Sequence, residues 1–584
     1  MLLKEVLSRT NTAWFLFCFL LLLKPSMSIG QTPDPITSVE GITEYQLENG
    51  LKVLLFPDDS KPTVTVNLTL FVGSRHEGYG EAGMAHLLEH MLFKGTPSHP
   101  NIPKSLQDLG AQFNGTTWVD RTNYYETLPA SEENLEFALQ LEADRMVNSL
   151  IRGEDLESEM TVVRSEFESG ENSPLRILLQ RMQAAAYEWH NYGKSTIGNR
   201  SDIERVPITN LRAFYRKHYQ PDNAMLIVAG KFDRARALEL ILKHFGPLER
   251  PDRELDKTYT EEPAQDGERT VVLRRVGDVS LVAAAYHIPA SSHPDFPAIR
   301  VLQNLMTSEP GGKLYKALVE SKKAATVLGT AFAFHDPGLA LFGTIVPEGT
   351  PTGEETTALE TARVSLLETL ENYGEGEISA EDVNRAKEEL LAGRERELAN
   401  SQGLAVSLSD WAAQGDWRLF FLYRDRLEKV TVEDIQRVAK AYLQRNNRTV
   451  GLFIPTEKAE RIEIPPAPDV AAMVEGYEGR ELVAEGEVFD PDPVNIEKRV
   501  QRGELKTGLK YGLLPKKTRG EMVYLQLTLR YGSESTLLGK DIACELVADA
   551  MMRGASYLSY QDIQDELNRA RATMSCLLYT SPSP

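Results

Sequence analysis

Two stretches of this 584-residue chain carry one pattern. Leu47-Glu48-Asn49-Gly50-Leu51-Lys52 is matched by Leu505-Lys506-Thr507-Gly508-Leu509-Lys510, and Pro57 by Pro515. With one residue inserted, Leu68-Thr69-Leu70 falls on Leu527-Thr528-Leu529 and Gly73-Ser74 on Gly532-Ser533. Phe93-Lys94-Gly95-Thr96 then falls on Met552-Arg553-Gly554-Ala555. A repeat constrains a chain more than any single element does, because one fold is expected to serve both copies. Asn49-Gly50 between apolar runs predicts a hairpin over 43–56. Thr63 to Val72 alternates apolar and polar residues, which predicts a strand with one buried face.

The first copy holds chemistry that the second lacks. Gly83-Met84-Ala85-His86-Leu87-Leu88-Glu89-His90-Met91-Leu92-Phe93-Lys94-Gly95-Thr96 reads as a helix, opened by Gly80 and Gly83 and stopped by Gly95. His86 and His90 stand at i and i+4, so both rings project from one face and can reach one metal. Glu89 flanks that face, where a carboxylate can take a proton from a metal-activated water. The order H-x-x-E-H is a zinc-peptidase pattern. In the second copy Glu545, Ala548 and Asp549 stand at these three positions. The fold therefore has no need of the histidines and glutamate, which points to function in the first copy.

Net charge is −21, from 64 basic and 85 acidic residues, which argues against nucleic acid as a partner. Residues 1–28 read as a secretory signal: Lys4 and Arg9 precede an apolar run from Ala13 to Leu23, and Ser26 and Ser28 suit a cleavage site before Ile29. The run is short for a bilayer span, so no stable membrane span is expected once the signal is removed; an uncleaved anchor is the alternative. Beyond Cys18 only Cys544 and Cys576 remain, so any zinc must be held by histidine and carboxylate.

Along the chain, strands are expected near 112–118 and 122–128, helices over 131–150, 154–171, 174–189 and 209–219, a strand at 223–228 and a helix at 235–245. A second unit has strands at 271–275 and 280–287 and helices at 296–307, 312–322, 354–372 and 379–400. It carries no histidine pair at ligand spacing. Pro465-Pro466-Ala467-Pro468 and Asp490-Pro491-Asp492-Pro493 mark 461–497 as a linker. The class is α+β, with mostly antiparallel sheets packed by helices.

A catalytic zinc site needs a third protein ligand. The acidic helix 154–171 offers six glutamates, and Glu159 and Glu166, two turns apart, share a face; periodicity does not choose between them.

Gly73-Ser74-Arg75, the Gly83–Thr96 run, Thr122-Asn123-Tyr124-Tyr125, Val162-Val163-Arg164-Ser165-Glu166 and Asn172-Ser173-Pro174 together resemble the pitrilysin/insulinase family of zinc metallopeptidases. The resemblance runs from residue 38 to about 575. It implies Glu166 as third ligand, Glu159 as a supporting carboxylate, and one Zn2+ per chain. It also implies an edge strand whose Asn114-Gly115 contacts substrate backbone, with Gly where the family has Ala. It implies repeated two-layer domains paired to form half of a clamshell chamber. The expected division is a signal peptide (1–28), a catalytic domain (36–255), a degenerate homologous domain (264–460), the linker (461–497) and a partial third domain lacking metal ligands (498–584).

The function expected is a periplasmic or secreted zinc endopeptidase acting on peptides or unfolded segments. Two alternatives keep the same fold: a non-catalytic partner-binding or assembly subunit, and a processing peptidase that needs a partner subunit. Leu567 to Ser575 lies opposite Leu109 to Thr117, and Cys576 to Pro584 continues no strand. The chain is accordingly expected to be C-terminally truncated, with a missing C-terminal half that closes the chamber.

Overall fold

The computed structural model describes residues 33–347 and 355–576. The proposed signal peptide, its cleavage site and Cys18 lie outside the described residues, as does the tail after Cys576. Two compact units divide at Ile462 and Glu463.

The first unit contains two sheets. The first is built from β1 (Thr37–Val39), β2 (Ile42–Gln46), β3 (Lys52–Pro57), β4 (Thr63–Leu70), β5 (Gln112–Thr117), β6 (Thr122–Pro129) and β7 (Ala224–Gly230), in the order β1-β2-β3-β7-β4-β6-β5. Its helices are α1 (Met84–Met91), α2 (Ile102–Asp108), α3 (Glu132–Asn148), α4 (Gly153–Glu171), α5 (Pro174–Ala186), α6 (Ile208–His218) and α7 (Arg234–Phe245). The second sheet is built from β8 (Arg269–Val276), β9 (Ser280–Ile288), β10 (Thr326–Ala331), β11 (Gly338–Val346) and β12 (Arg448–Thr456), in the order β10-β11-β9-β12-β8. With it go α8 (Phe296–Thr307), α9 (Glu355–Glu371), α10 (Ala380–Leu398), α11 (Ser401–Ala413), α12 (Leu419–Glu428) and α13 (Val432–Tyr442).

The two sheets are one design used twice. β3-β7-β4-β6-β5 and β8-β12-β9-β11-β10 have the same order and the same single parallel pair, β3 with β7 and β8 with β12. All other neighbours are antiparallel. Asn49-Gly50 makes the β2–β3 turn, with Gly50 at φ +97°. Residues 312–322 form a short π-type helix over Tyr315–Glu320.

Helices exchanged between the halves cover both sheets. Val53, Leu55, Leu226 and Val228 pack into the core under α1, α3, α6 and α7, whereas the alternate residues Leu54, Met225 and Ile227 join a core with Leu404, Ala405 and Leu408 of α11. In return, Ile177, Leu178 and Met182 of α5 pack on Leu281, Ala283, Leu341 and Phe453 of the second sheet. β7 is buried on both faces as a result. β4 is buried on both faces too, which corrects the expectation of a single buried face. Its polar residues Thr65, Asn67 and Thr69 lie against α11, and Asn67 Nδ2 donates to the Ala405 carbonyl at 2.8 Å. Asn123 Nδ2 donates to Ser409 Oγ at 3.3 Å and Thr127 Oγ1 to Gln402 Oε1 at 3.2 Å. Alternation therefore marks an interface with its hydrogen bonds satisfied, not a wet face.

The second unit has a hairpin of β13 (Gln501–Glu504) and β14 (Lys510–Leu513), then α14 (Asp541–Met551) and α15 (Tyr560–Arg569). These stand where β2, β3, α1 and α2 stand in the first copy. The counterpart of β4, around Leu527-Thr528-Leu529, forms no strand. In the first copy β4 is held between β6 and β7.

Gly451 of β12 lies directly under α5: a Cβ there would stand 2.2 Å from Met182 Sδ and 3.0 Å from Leu178 Cδ1. Gly451→Val is expected to push α5 off the sheet at a cost of about 1–3 kcal/mol. A lowered urea midpoint with an unchanged slope is the expected readout.

Candidate metal centre

α1 is fixed at its first turn by a buried acid. Glu77 Oε2 accepts from the Gly83 amide at 3.0 Å and Oε1 from the Ala85 amide at 2.9 Å. A carboxyl there satisfies two of the donors that a helix start leaves free and opposes the positive end of the helix dipole. Burial pushes the Glu77 carboxyl up to about 8, opposed by those two amides and by the nearby Lys194. Gly83, at φ +94°, has the Ile197 carbonyl 2.7 Å from where a Cβ would lie, so the turn admits only glycine. Leu87, Leu88 and Met91 are buried in the first core. The helix ends at Met91, with Leu92 as its cap. Gly95 therefore does not stop it, and instead makes a tight turn against Pro100 at φ +131°.

The fold brings the two histidines to a glutamate on α4. His86 Nε2 and His90 Nε2 each lie 3.6 Å from Glu166 Oε2, and the ring centroids are 4.8 Å apart. Among the described residues these three form the group able to hold a metal ion, with ligand atoms within 4.8 Å of one another. A tetrahedral zinc with bonds of about 2.0–2.1 Å sets its ligands about 3.3 Å apart, so the separations fit. The donor set, two imidazoles and a carboxylate, is that of a catalytic rather than a structural zinc site. Burial and the neighbouring His90 hold His86 down at about 4, which keeps its imidazole neutral, as a metal ligand must be.

Glu159, on the same face of α4, does a different job. Its Oε2 lies 3.2 Å from His90 Nδ1, and its other oxygen pairs with Lys94. A carboxylate on Nδ1 fixes the tautomer that leaves Nε2 free, the usual support of a metal-bound histidine. Glu159 is buried against His90 and Lys94, whereas Glu166 is exposed and faces both histidines.

Glu89 is buried, and its Oε2 accepts a hydrogen bond from Thr117 Oγ1 at 2.6 Å. Burial pushes its carboxyl up, opposed chiefly by that hydrogen bond and by His90. Gly115 lies close on its other side: a Cβ there would be 2.9 Å from the Phe93 ring and 3.0 Å from Glu89 Cγ. Glycine here leaves Glu89 room that an alanine would take. β5 is the open edge of the first sheet, and Asn114 on it is exposed. The sequence reading missed Glu77 and Thr117. Thr117 could have been found, because it stands two residues beyond Gly115 on the same face of one strand; nothing in the sequence marks Glu77.

The model for Insulinase (Peptidase family M16) matches residues 52–200, and that for the Peptidase M16 inactive domain matches residues 205–390. A zinc protease named PqqE from Helicobacter pylori is 30% identical over 416 residues, which span 70% of this chain and 92% of the relative. The crystal structure of a protease from Helicobacter pylori matches with a TM-score of 0.66 at 30% identity, covering 71% of this chain and 99% of that one. The first half of the periplasmic protease PqqL from Escherichia coli shares the fold, with a TM-score of 0.58 at 19% identity, over 78% of this chain and all of that one (100%).

His86→Ala, His90→Ala and Glu166→Ala are each expected to abolish stoichiometric zinc binding, measured by metal analysis after dialysis. Glu159→Ala is expected to keep zinc and weaken its affinity by about 10–100-fold.

Proposed function

This chain belongs to the insulinase family, peptidase family M16, and we propose that it is a zinc-dependent endopeptidase hydrolysing peptides or unfolded protein segments. Family membership and relatives named zinc proteases support a peptidase-type function. The finer reading is carried by one observation: two imidazole Nε2 atoms converge on the Glu166 carboxylate beside a second, buried carboxyl at Glu89.

In this reading His86, His90 and Glu166 hold the zinc, and Glu159 orients His90. Zinc bound there supplies Lewis acidity toward a water and toward the scissile carbonyl. Glu89 is the proton carrier. Thr117 occupies its Oε2, which leaves Oε1 to accept a proton from the attacking water and return it to the leaving amine. Burial favours the protonated form and so raises the affinity of this carboxylate for that proton. Asn114 and Gly115 on the open edge bind substrate as an added strand, so main-chain hydrogen bonds rather than side chains give most of the grip.

We assign residues 36–255 as the catalytic domain and 264–460 as its degenerate homologue. α8, which carries no histidine, supports the second half's holding no metal site of its own; the inactive-domain match begins at residue 205, inside the first of these units, and ends at 390, inside the second. The non-catalytic alternative predicts a site with missing parts, and His86, Glu89, His90 and Glu166 are all present. We also propose a periplasmic or secreted location, on the signal-like residues 1–28 and the periplasmic PqqL neighbour. Among the described residues no helix is long and apolar enough to cross a membrane.

Glu89→Gln is expected to retain zinc and the native circular-dichroism spectrum while losing about 10²–10⁴-fold in kcat on an unfolded reporter peptide. Near-normal turnover would remove Glu89 from the reaction. Loss of wild-type activity to a chelator, and its return with zinc, tests the metal itself.

A further inference from the structure

A cavity of about 320 Å³ opens beside the metal centre, with His86 and Glu166 on one wall, Trp118 at its rim and α5 along the other wall. Its charges are unbalanced. Glu166 is committed to the metal. Glu171 is already compensated, its Oε2 3.1 Å from Arg275 Nη1 and its Oε1 3.5 Å from Arg181 Nη2. Two cations remain, Arg176 from the first turn of α5 and Lys194 from the loop after it. Among the described residues neither stands in an ion pair. The Lys194 ammonium lies 3.5 Å from the Glu77 carbonyl oxygen, and it also feels the Glu77 carboxyl buried behind it. The chain as a whole carries −21, so this positive spot runs against the general charge.

We propose that this cavity is a specificity pocket for an acidic side chain of the substrate, aspartate or glutamate, on a residue next to the scissile bond. The proposal rests on the peptidase reading above. A substrate strand on the β5 edge passes Thr117, the last residue of β5, which also lines the cavity together with the neighbouring Trp118. Side chains alternate along such a strand, so a residue near the metal is turned into the cavity between α4 and α5. A carboxylate entering there meets Arg176 and Lys194 without breaking an ion pair of either among the described residues. A lysine or arginine entering there meets like charge in a partly desolvated site, which is a strong ground for rejection.

The test uses the zinc-loaded full chain carrying Glu89→Gln, so that peptides are bound and not cut. Fluorescent peptides, identical except for Glu, Gln or Lys stepped through each position, are titrated with free and with amidated C-termini. One position is expected to favour Glu over Gln by about fivefold or more, with Lys weakest, whatever the terminus. Arg176→Glu, alone and with Lys194→Glu, is expected to invert that order at the same position and leave zinc content unchanged. Arg176 is exposed, so its single replacement keeps the test informative even where the double variant disturbs Glu77. No position favouring Glu, or a preference that survives charge reversal, overturns the proposal. So does binding that follows the free C-terminus alone, which would make the ligand a chain end. Wild-type protein that cleaves none of the peptides defeats the peptidase reading by itself, whereas active protein indifferent to charge defeats only the pocket.

Discussion

Each sheet of the first unit has a face that its own helices leave bare, and a helix from the other half covers it. α11 lies on β4 and β7, while α5 lies on β9 and β12. The apolar residues involved, among them Leu54, Met225, Ile227, Leu178 and Phe453, are 0–1% exposed. Leaving them in water would cost about 25 cal/mol per Å² of apolar surface. Neither half closes its core alone, so the second half is part of the structure of the first. The exchange also reaches the metal centre. α4 runs through Asn172 and Ser173 straight into α5, so the docking of α5 on the second sheet sets where α4 presents Glu166 and Glu159.

The remaining parts of the centre are held by short polar contacts at the ends of elements. Glu77 holds the start of α1, Glu159 holds His90, and Thr117 holds Glu89. Each is a hydrogen bond to a residue that is itself fixed by a strand, a helix or a buried turn: Glu77 and Glu159 accept, and Thr117 donates. In the proposed reading such a site loses little freedom when a substrate arrives, which is the arrangement that catalysis by positioning requires.

Local signals in the sequence were legible where one element supplied them. The i, i+4 histidines with Glu89, the Asn49-Gly50 hairpin and the helices over 131–150 and 379–400 were readable from spacing alone. Signals that depend on a distant partner were not. The polar residues of β4 look like a solvated face because α11, their partner, lies over 300 residues further on. β10 and β11 carry small residues such as Gly329, Ala331, Ala340 and Gly343, which give no amphipathic period to read. The counterpart of β4 in the repeat, Leu527-Thr528-Leu529, carries the same residues and forms no strand, so the pattern by itself does not decide the element.

On the proposed function, the open edge of β5 has a consequence for what the protein acts upon. An edge strand pairs only with a chain that offers several consecutive free amides and carbonyls, and in a folded protein those groups are already paired. A folded target would then be cut only during its own local openings, at a frequency set by the target's stability and not by the affinity of the site. In that regime the peptide edge works as a gauge of folding: two proteins of identical sequence at the cleavage point, differing only in how firmly that segment is packed, would be degraded at rates in proportion to their opening equilibria.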